Sequence, residues 1–364
     1  MNWRLPFIAI ITIVVLAPAN AHGMVPYNQE PYTHPQRLVD VGNGRRMNIY
    51  CTGTGSPTVI LDSGLGLKHT GTLPWGMVQS AVERFTRVCS YDRAGFGFSD
   101  PGPLPRTTGA IVSDLHALLQ RAEINPPYVM VGHSLGGFDV RLFADRYSSE
   151  VSGMVLVDPA AEGEQQRFAA VLPKYLSADA PFYALALKCA NEARRGLLQK
   201  RRASNRCIGP RGSDAIVVDD PSLNAQVNAA IDQKLEAPAP WAAFISEATN
   251  AGFISKANHA DEAEVMEAQR SYETMPLIVL TGAETYSKSD EQTFGASDAQ
   301  ITAAENAWNE MHRKIAAYSK RGVNCVVPRV DHWIQIERPT AVVDAIRQVI
   351  ELTDTTAQPS CRSL

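Results

Sequence analysis

The pentapeptide Gly132-His133-Ser134-Leu135-Gly136 sets a hydroxyl nucleophile between two glycines in the spacing G-x-S-x-G. The logic of that spacing is steric. A serine in a strained turn between a strand and a helix tolerates no bulky residue two places before or after it. Its Oγ then stands clear of the sheet edge, and the helix that follows directs its N-terminal dipole at developing negative charge. The chemistry such a residue supports is acyl transfer through a covalent intermediate, provided that a base takes its proton.

The sequence offers 8 histidines for that role. His22 lies near the N-terminus and His34 in an irregular arm. His116 and His312 fall inside helical patterns, where surface or core histidines are the ordinary reading. His69 follows a strand and His259 lies in a helical region, so each could at most contact a substrate. His133 belongs to the turn itself, which points its ring away from Ser134 Oγ. His332 remains, in Val330-Asp331-His332-Trp333 just past a strand. The acid that would accept its Nδ1–H must also stand near a strand's carboxyl end. Asp158 qualifies after Met154-Val155-Leu156-Val157, and strand-end position favours it. Glu284 is the alternative, and Asp290 lies further along the same loop. An oxyanion hole needs two backbone N–H groups. Leu135, next to the serine, supplies one; Leu65, in the glycine-flanked Ser63-Gly64-Leu65-Gly66, supplies the other.

The elements that must carry these residues alternate in type. Leu38 to Val41 and Met47 to Cys51 form an antiparallel pair through the tight turn Gly42-Asn43-Gly44. Strands follow at Thr58 to Asp62, Arg87 to Tyr91, Tyr128 to Gly132, Gly153 to Val157, Pro276 to Thr281 and Val323 to Val327. Helical spacing separates them, as in Ile111, Leu115, Leu118 and Leu119, which share one face of a helix that Thr107 or Thr108 can cap. Strand–helix alternation without hairpins indicates a mostly parallel sheet with helices on both faces, whose functional loops sit at the strands' carboxyl ends. From 159 to 275 no strong strand appears, and Ala, Glu, Arg and Lys dominate. That stretch reads as a helical cap inserted between a first core part (22–158) and a second (276–364).

With these residues in view, the chain resembles the α/β-hydrolase superfamily, in particular its capped serine hydrolase branch of esterase-like and proline iminopeptidase-like members. The resemblance covers Val59 to Asp158 and Pro276 to Pro339. Val131-Gly132-His133-Ser134-Leu135-Gly136-Gly137 matches the family's elbow. Asp92-Arg93-Ala94-Gly95-Phe96-Gly97-Phe98-Ser99 is similar to its D-x-R-G-x-G-x-S loop, with Ala94 at the usual first-glycine position. The resemblance implies an eight-stranded α/β-hydrolase fold and the order Ser, acid, His. Many members of the branch carry an Asp after the seventh strand. Gly282-Ala283-Glu284-Thr285 has none, whereas lipase-like relatives carry the acid one strand earlier, as at Asp158-Pro159-Ala160. The implied topology also suggests the disulfides Cys51–Cys89, Cys189–Cys207 and Cys325–Cys361.

Bulk properties limit the rest. Hydrophobic residues at 45% and charged residues at 20% suit a globular chain with a large core, and a net charge of −4 gives no footprint for nucleic acid or an anionic membrane. Arg4, the apolar stretch Leu5 to Ala17 and the small-x-small triplet Ala19-Asn20-Ala21 read as a signal peptide over 1–21, cleaved near Ala21. The apolar stretch is shorter than the ~20 residues a spanning helix needs. The expectation is a secreted or periplasmic serine hydrolase acting on a small ester, with an amide or aminopeptidase substrate, or a non-catalytic binding role, as alternatives. Glu162, Glu164, Glu264 or Glu267 would have to hold a substrate amine in the aminopeptidase case. No cofactor or metal is expected, since no Cys/His cluster has zinc spacing. Oligomeric state is left open.

Overall fold

The computed structural model describes residues 27–68, 70–198, 206–209, 217–218, 220, 222–254, 258–268, 271–286 and 291–362. The expected signal peptide at 1–21, His69 and Asp290 lie outside them.

The chain begins with β1 (Leu38–Gly42) and β2 (Arg45–Thr52), an antiparallel pair. Next come β3 (Thr58–Asp62), α1 (Gly76–Val82), β4 (Val88–Tyr91), α2 (Thr108–Arg121), β5 (Tyr128–His133), α3 (Gly136–Arg146) and β6 (Val151–Val157). After the insertion, β-type pattern returns. With β9 (Leu277–Gly282) and β10 (Gly322–Val327) beyond it, eight strands assemble in the order β1-β2-β4-β3-β5-β6-β9-β10, antiparallel up to β4 and parallel from there on. The expected α/β-hydrolase architecture is therefore present.

Period-2 alternation explains how both faces are buried. Val59, Leu61, Val129, Val131, Val155 and Val157 turn to one face and pack on Val78, Val82, Ile346 and Val349 of the helices there. Their neighbours Ile60, Met130, Met154 and Leu156 turn to the other face, against Leu115, Leu118, Val140 and Phe143 of α2 and α3. Fully burying each such side chain stabilises the fold by roughly 1.5–3 kcal/mol.

The insertion comprises α4 (Glu164–Val171), α5 (Tyr175–Ala178), α6 (Ala180–Arg194), β7 (Ile208–Gly209), β8 (Val217–Val218), α7 (Ala225–Leu235), α8 (Pro238–Asn250) and α9 (Ala260–Ala268). It is mainly helical, but β7 and β8 form a short parallel pair that no sequence pattern announces. Two residues per strand are too few for alternation to register. A separate apolar cluster, including Tyr183, Cys189, Cys207, Trp241 and Phe244, joins Leu67 and Phe96 from the loops beyond β3 and β4. The insertion is thereby seated on the carboxyl-end loops of the sheet.

The chain then completes the sheet with β9 (Leu277–Gly282), α10 (Glu291–Phe294), α11 (Asp298–Ala316), β10 (Gly322–Val327), α12 (Ile334–Glu337) and α13 (Pro339–Leu352). A capping box between Ser297 and Gln300 starts α11 at Asp298. Cys51 and Cys89 face each other across the β2–β4 ladder, and the cysteines are joined as Cys51–Cys89, Cys189–Cys207 and Cys325–Cys361. No helix among the described residues is long and apolar enough to cross a membrane.

Candidate active site

Three strands deliver the residues singled out above: the neighbours β5 and β6, and β10 on the far side of β9. Ser134 follows β5, Asp158 follows β6 and His332 lies in the loop after β10. Ser134 has a φ of 53°, a left-handed conformation that costs a non-glycine residue free energy and that the surroundings must enforce. They do so through Ser134 N–H donating to Val157 O at 3.1 Å, and Ser134 O accepting from Gly137 N at 2.8 Å and Ala160 N at 2.9 Å. The flanking glycines are sterically required. A Cβ on Gly132 would come within 2.3 Å of Gly136 O, and one on Gly136 within 2.7 Å of Ser63 O.

Asp158 is completely buried and accepts from four groups: Gly282 N at 2.9 Å, Thr285 Oγ1 at 3.0 Å, Trp308 Nε1 at 3.0 Å and His332 Nδ1 at 2.7 Å. These donors fill both carboxylate oxygens and leave it one orientation. Burial pulls the His332 pKa down, but its hydrogen bond to Asp158 and that carboxylate's charge outweigh the pull, so the net displacement is upward. Glu284, the other acid considered, has an exposed side chain, and only its backbone N–H is tied into the loop, to Val330 O at 2.9 Å.

The remaining histidines have other occupations. His133 Nε2 donates to His332 O at 2.9 Å, and its ring lies 4.7 Å from that of His332 and 4.8 Å from Trp333. It thus braces the loop that carries His332. His312 is buried behind Asp158 with Nε2 donating to Pro159 O at 2.9 Å, and burial lowers its pKa to about 4. It is therefore neutral at ordinary pH. His116 stacks on Tyr147 and meets Glu150 at 3.0 Å, His34 meets Glu30 at 2.7 Å, and His259 stands 3.8 Å from Glu262.

The backbone donors beside Ser134 follow from the same framework. Leu135 N–H stands at the N-terminus of α3, where the helix ladder makes no use of it. Gly64 lies directly against the Ser134 turn: a Cβ there would fall 2.8 Å from Ser134 Cβ. Its peptide bond to Leu65 therefore borders the space beside Ser134.

The four acids of the insertion separate cleanly. Glu162 pairs with Arg141, Glu264 accepts from Thr107 Oγ1 at 2.9 Å and Gly109 N at 2.5 Å at the start of α2, and Glu267 is exposed. Glu164 differs, because it feels the charges of both His332 and Asp158. Burial pushes its pKa up to about 7, against the opposing pull of Ala161 N–H, which donates to its Oε2 at 3.0 Å, and of His332. Tyr175, Tyr183 and Tyr286 in turn feel Glu164. Among the described residues no group of three or more His, Cys, Asp or Glu is placed to hold a metal.

Sequence reasoning missed the groups that hold Asp158 in place. Trp308 is 150 residues away along the chain, and its position in α11 reads as an ordinary core aromatic. Only the sheet order brings it to the end of β6.

The model of the alpha/beta hydrolase family matches residues 59–345. The chain belongs to the alpha/beta hydrolase family. It is 33% identical over 108 residues to an uncharacterised protein of Bacillus subtilis, a match spanning 30% of this chain and 42% of that protein. The chain spans less than half the length of this and the other leading curated relatives. A thermophilic esterase from Thermogutta terrifontis superposes with a TM-score of 0.52 at 19% identity, covering 88% of this chain and 100% of the esterase. The epoxide hydrolase CorEH superposes at 0.56 with 16% identity, covering 87% of this chain and 98% of that enzyme. At such identities the likeness is one of fold.

Proposed function

We propose that this hydrolase cleaves carboxylic esters through an acyl-enzyme on Ser134. The observation that carries the reading is the 2.7 Å hydrogen bond between His332 Nδ1 and the buried Asp158, on the strand ends beside a serine at positive φ. In this reading His332 Nε2 takes the proton of Ser134 as Oγ attacks the ester carbonyl. The tetrahedral oxyanion rests on the N–H groups of Leu135 and Leu65. His332 then passes the proton to the departing alkoxide. Water, deprotonated by His332, attacks the acyl-enzyme, and the acid is released as the imidazolium returns that proton to the departing Ser134 Oγ. Asp158 fixes the tautomer of His332 and stabilises the imidazolium.

The insertion acts as a cap over 159–275 that closes the acyl and alcohol sites. Export fits the disulfide-rich chain, since disulfides persist in oxidising compartments; the protein is then secreted or periplasmic after cleavage near Ala21.

Glu164 favours a second reading, in which the substrate is an amide or peptide with a free amine. A carboxylate near the proposed base is the group an ammonium would seek. A panel of p-nitrophenyl esters and aminoacyl anilides separates the two. Turnover confined to esters supports the first reading, and turnover confined to aminoacyl anilides replaces it with the second. No turnover of either, together with no labelling by a fluorophosphonate, makes the chain a non-catalytic binder.

A further inference from the structure

Arg93 stands in the glycine-rich loop after β4 and is 1% exposed, so it cannot itself meet a substrate. All five of its N–H donors are used, which is the full capacity of a guanidinium. Nε donates to Glu247 Oε1 at 3.1 Å and Nη2 to Glu247 Oε2 at 2.7 Å, a bidentate pair with helix α8 of the insertion. Nη1 donates to Asp62 Oδ1 at 3.1 Å and to Ser63 O. The remaining donor, on Nη2, reaches Gly64 O at 2.9 Å.

The last contact has a geometric consequence. Gly64 C=O and Leu65 N–H belong to one peptide unit, which is planar and trans, so the two groups point in opposite directions. A cation that grips the oxygen from below aims the N–H away from itself. It also draws electron density from the amide, making that N–H a stronger donor. Thr70 Oγ1 lies 3.1 Å from the same oxygen, but its one proton is directed at the nearer Gly66 O, at 2.6 Å, which leaves Arg93 as the main donor to Gly64 O. Gly64 is the residue that packs on Ser134 Cβ.

The guanidinium is held in turn by the insertion. Glu247 is completely buried, and Asp139 lies 3.9 Å from Arg93 Nη1. Burial, with Asp62 adding to it, pushes the Asp139 carboxyl well above the usual range against the pull of Arg93. Glu247 and Asp62 are the carboxylates that hydrogen-bond the guanidinium, one from each part of the molecule.

We propose that Arg93 and Glu247 are positioning residues for the Gly64–Leu65 peptide, aiming and polarising Leu65 N–H as an oxyanion donor, so that transition-state stabilisation depends on the insertion being docked. The proposal rests on the reading of Ser134 as nucleophile. Neither residue touches substrate, and each acts through the peptide.

The test compares an aryl ester with its matching thionoester on purified protein, because sulfur accepts hydrogen bonds poorly and draws little from an oxyanion donor. Glu247→Gln replaces a bidentate acceptor with an amide whose NH2 opposes the guanidinium. Its kcat for the ester should fall by about tenfold at unchanged KM, a fraction of the 10²–10³ lost when a donor is removed outright. Thionoester turnover should change little, so the ester-to-thionoester ratio narrows; Arg93→Lys should narrow it further. Glu247→Asp, which keeps the charge, should recover part of the ratio, and it carries the test alone if the Gln variant does not fold. Equal losses on both substrates, or an unchanged ester kcat, would overturn the proposal. If wild-type protein neither turns over the ester nor reacts with a fluorophosphonate, the reading of Ser134 fails first and this one with it.

Discussion

The floor formed by the strand ends and the insertion packed on their loops each contribute a carboxylate near His332, and the two are handled in opposite ways. Asp158, on the floor, sits among four donors drawn from β9, its following loop, α11 and the β10 loop. Glu164, on α4, has one backbone donor and a pKa pushed by burial to about 7. A carboxylate ringed by donors keeps one position, which suits a group that must orient a base. A carboxylate with spare acceptor capacity can change its protonation or take a ligand. The floor is built for constancy and the insertion for choice.

The largest expected effect breaks the floor. Asp158→Asn should lower kcat by about 10⁴, because an amide leaves His332 in the wrong tautomer. Glu284→Gln, by contrast, should leave it unchanged. Steady-state kinetics on a p-nitrophenyl ester measures both, and comparable losses in the two would reverse the assignment of the acid.

The next effect is confined to the insertion. Replacing Cys189 and Cys207, separated by 18 residues, with alanine should remove about 3 kcal/mol of stability and lower the thermal midpoint. Calorimetry reads this directly. Reaction of Ser134 with a fluorophosphonate below the midpoint should slow by less than tenfold, since the floor is held by the sheet.

The pH profile sharpens the contrast. The proposed base works only when neutral, and its pKa is displaced upward from 6.5, with the Asp158 hydrogen bond and charge outweighing burial. Activity should therefore rise with pH through that displaced pKa and level off above it. In Asp158→Asn the raising influence is gone, so the residual activity should have its acid limb at lower pH. An acid limb that stays in place would show that Asp158 does not set it.

The smallest effect belongs to Glu164→Gln. Ester turnover should change by no more than about threefold, in keeping with removal of a partly exposed charge that is not in contact with the reacting atoms. Any substrate bearing an ammonium should lose more in KM than in kcat. Equal effects on charged and uncharged esters would remove Glu164 from recognition.

What was legible in the sequence follows the same division. Parallel strands buried on both faces read as short apolar runs, and a serine between glycines marks the turn after β5. Local pattern was therefore enough to find the sheet, Ser134 and the loop of His332. The supports of Asp158 were not legible, because Trp308, Gly282 and Thr285 meet it only through strand order. The role of Arg93 was hidden for the same reason. Its motif was visible, but its partner Glu247 lies in the insertion, where amphipathic helices announce burial without saying against what. Of the insertion's acids, Glu162 and Glu264 could not be distinguished from Glu164 until their partners on α3 and α2 were known.

The most direct measurement is reaction of the purified protein with a fluorophosphonate, followed by peptide mapping of the adduct. Covalent mass on Ser134, abolished in Ser134→Ala and suppressed below the His332 pKa, is the expected result. A folded wild-type protein that takes no label, or takes it on another residue, would contradict the proposed chemistry.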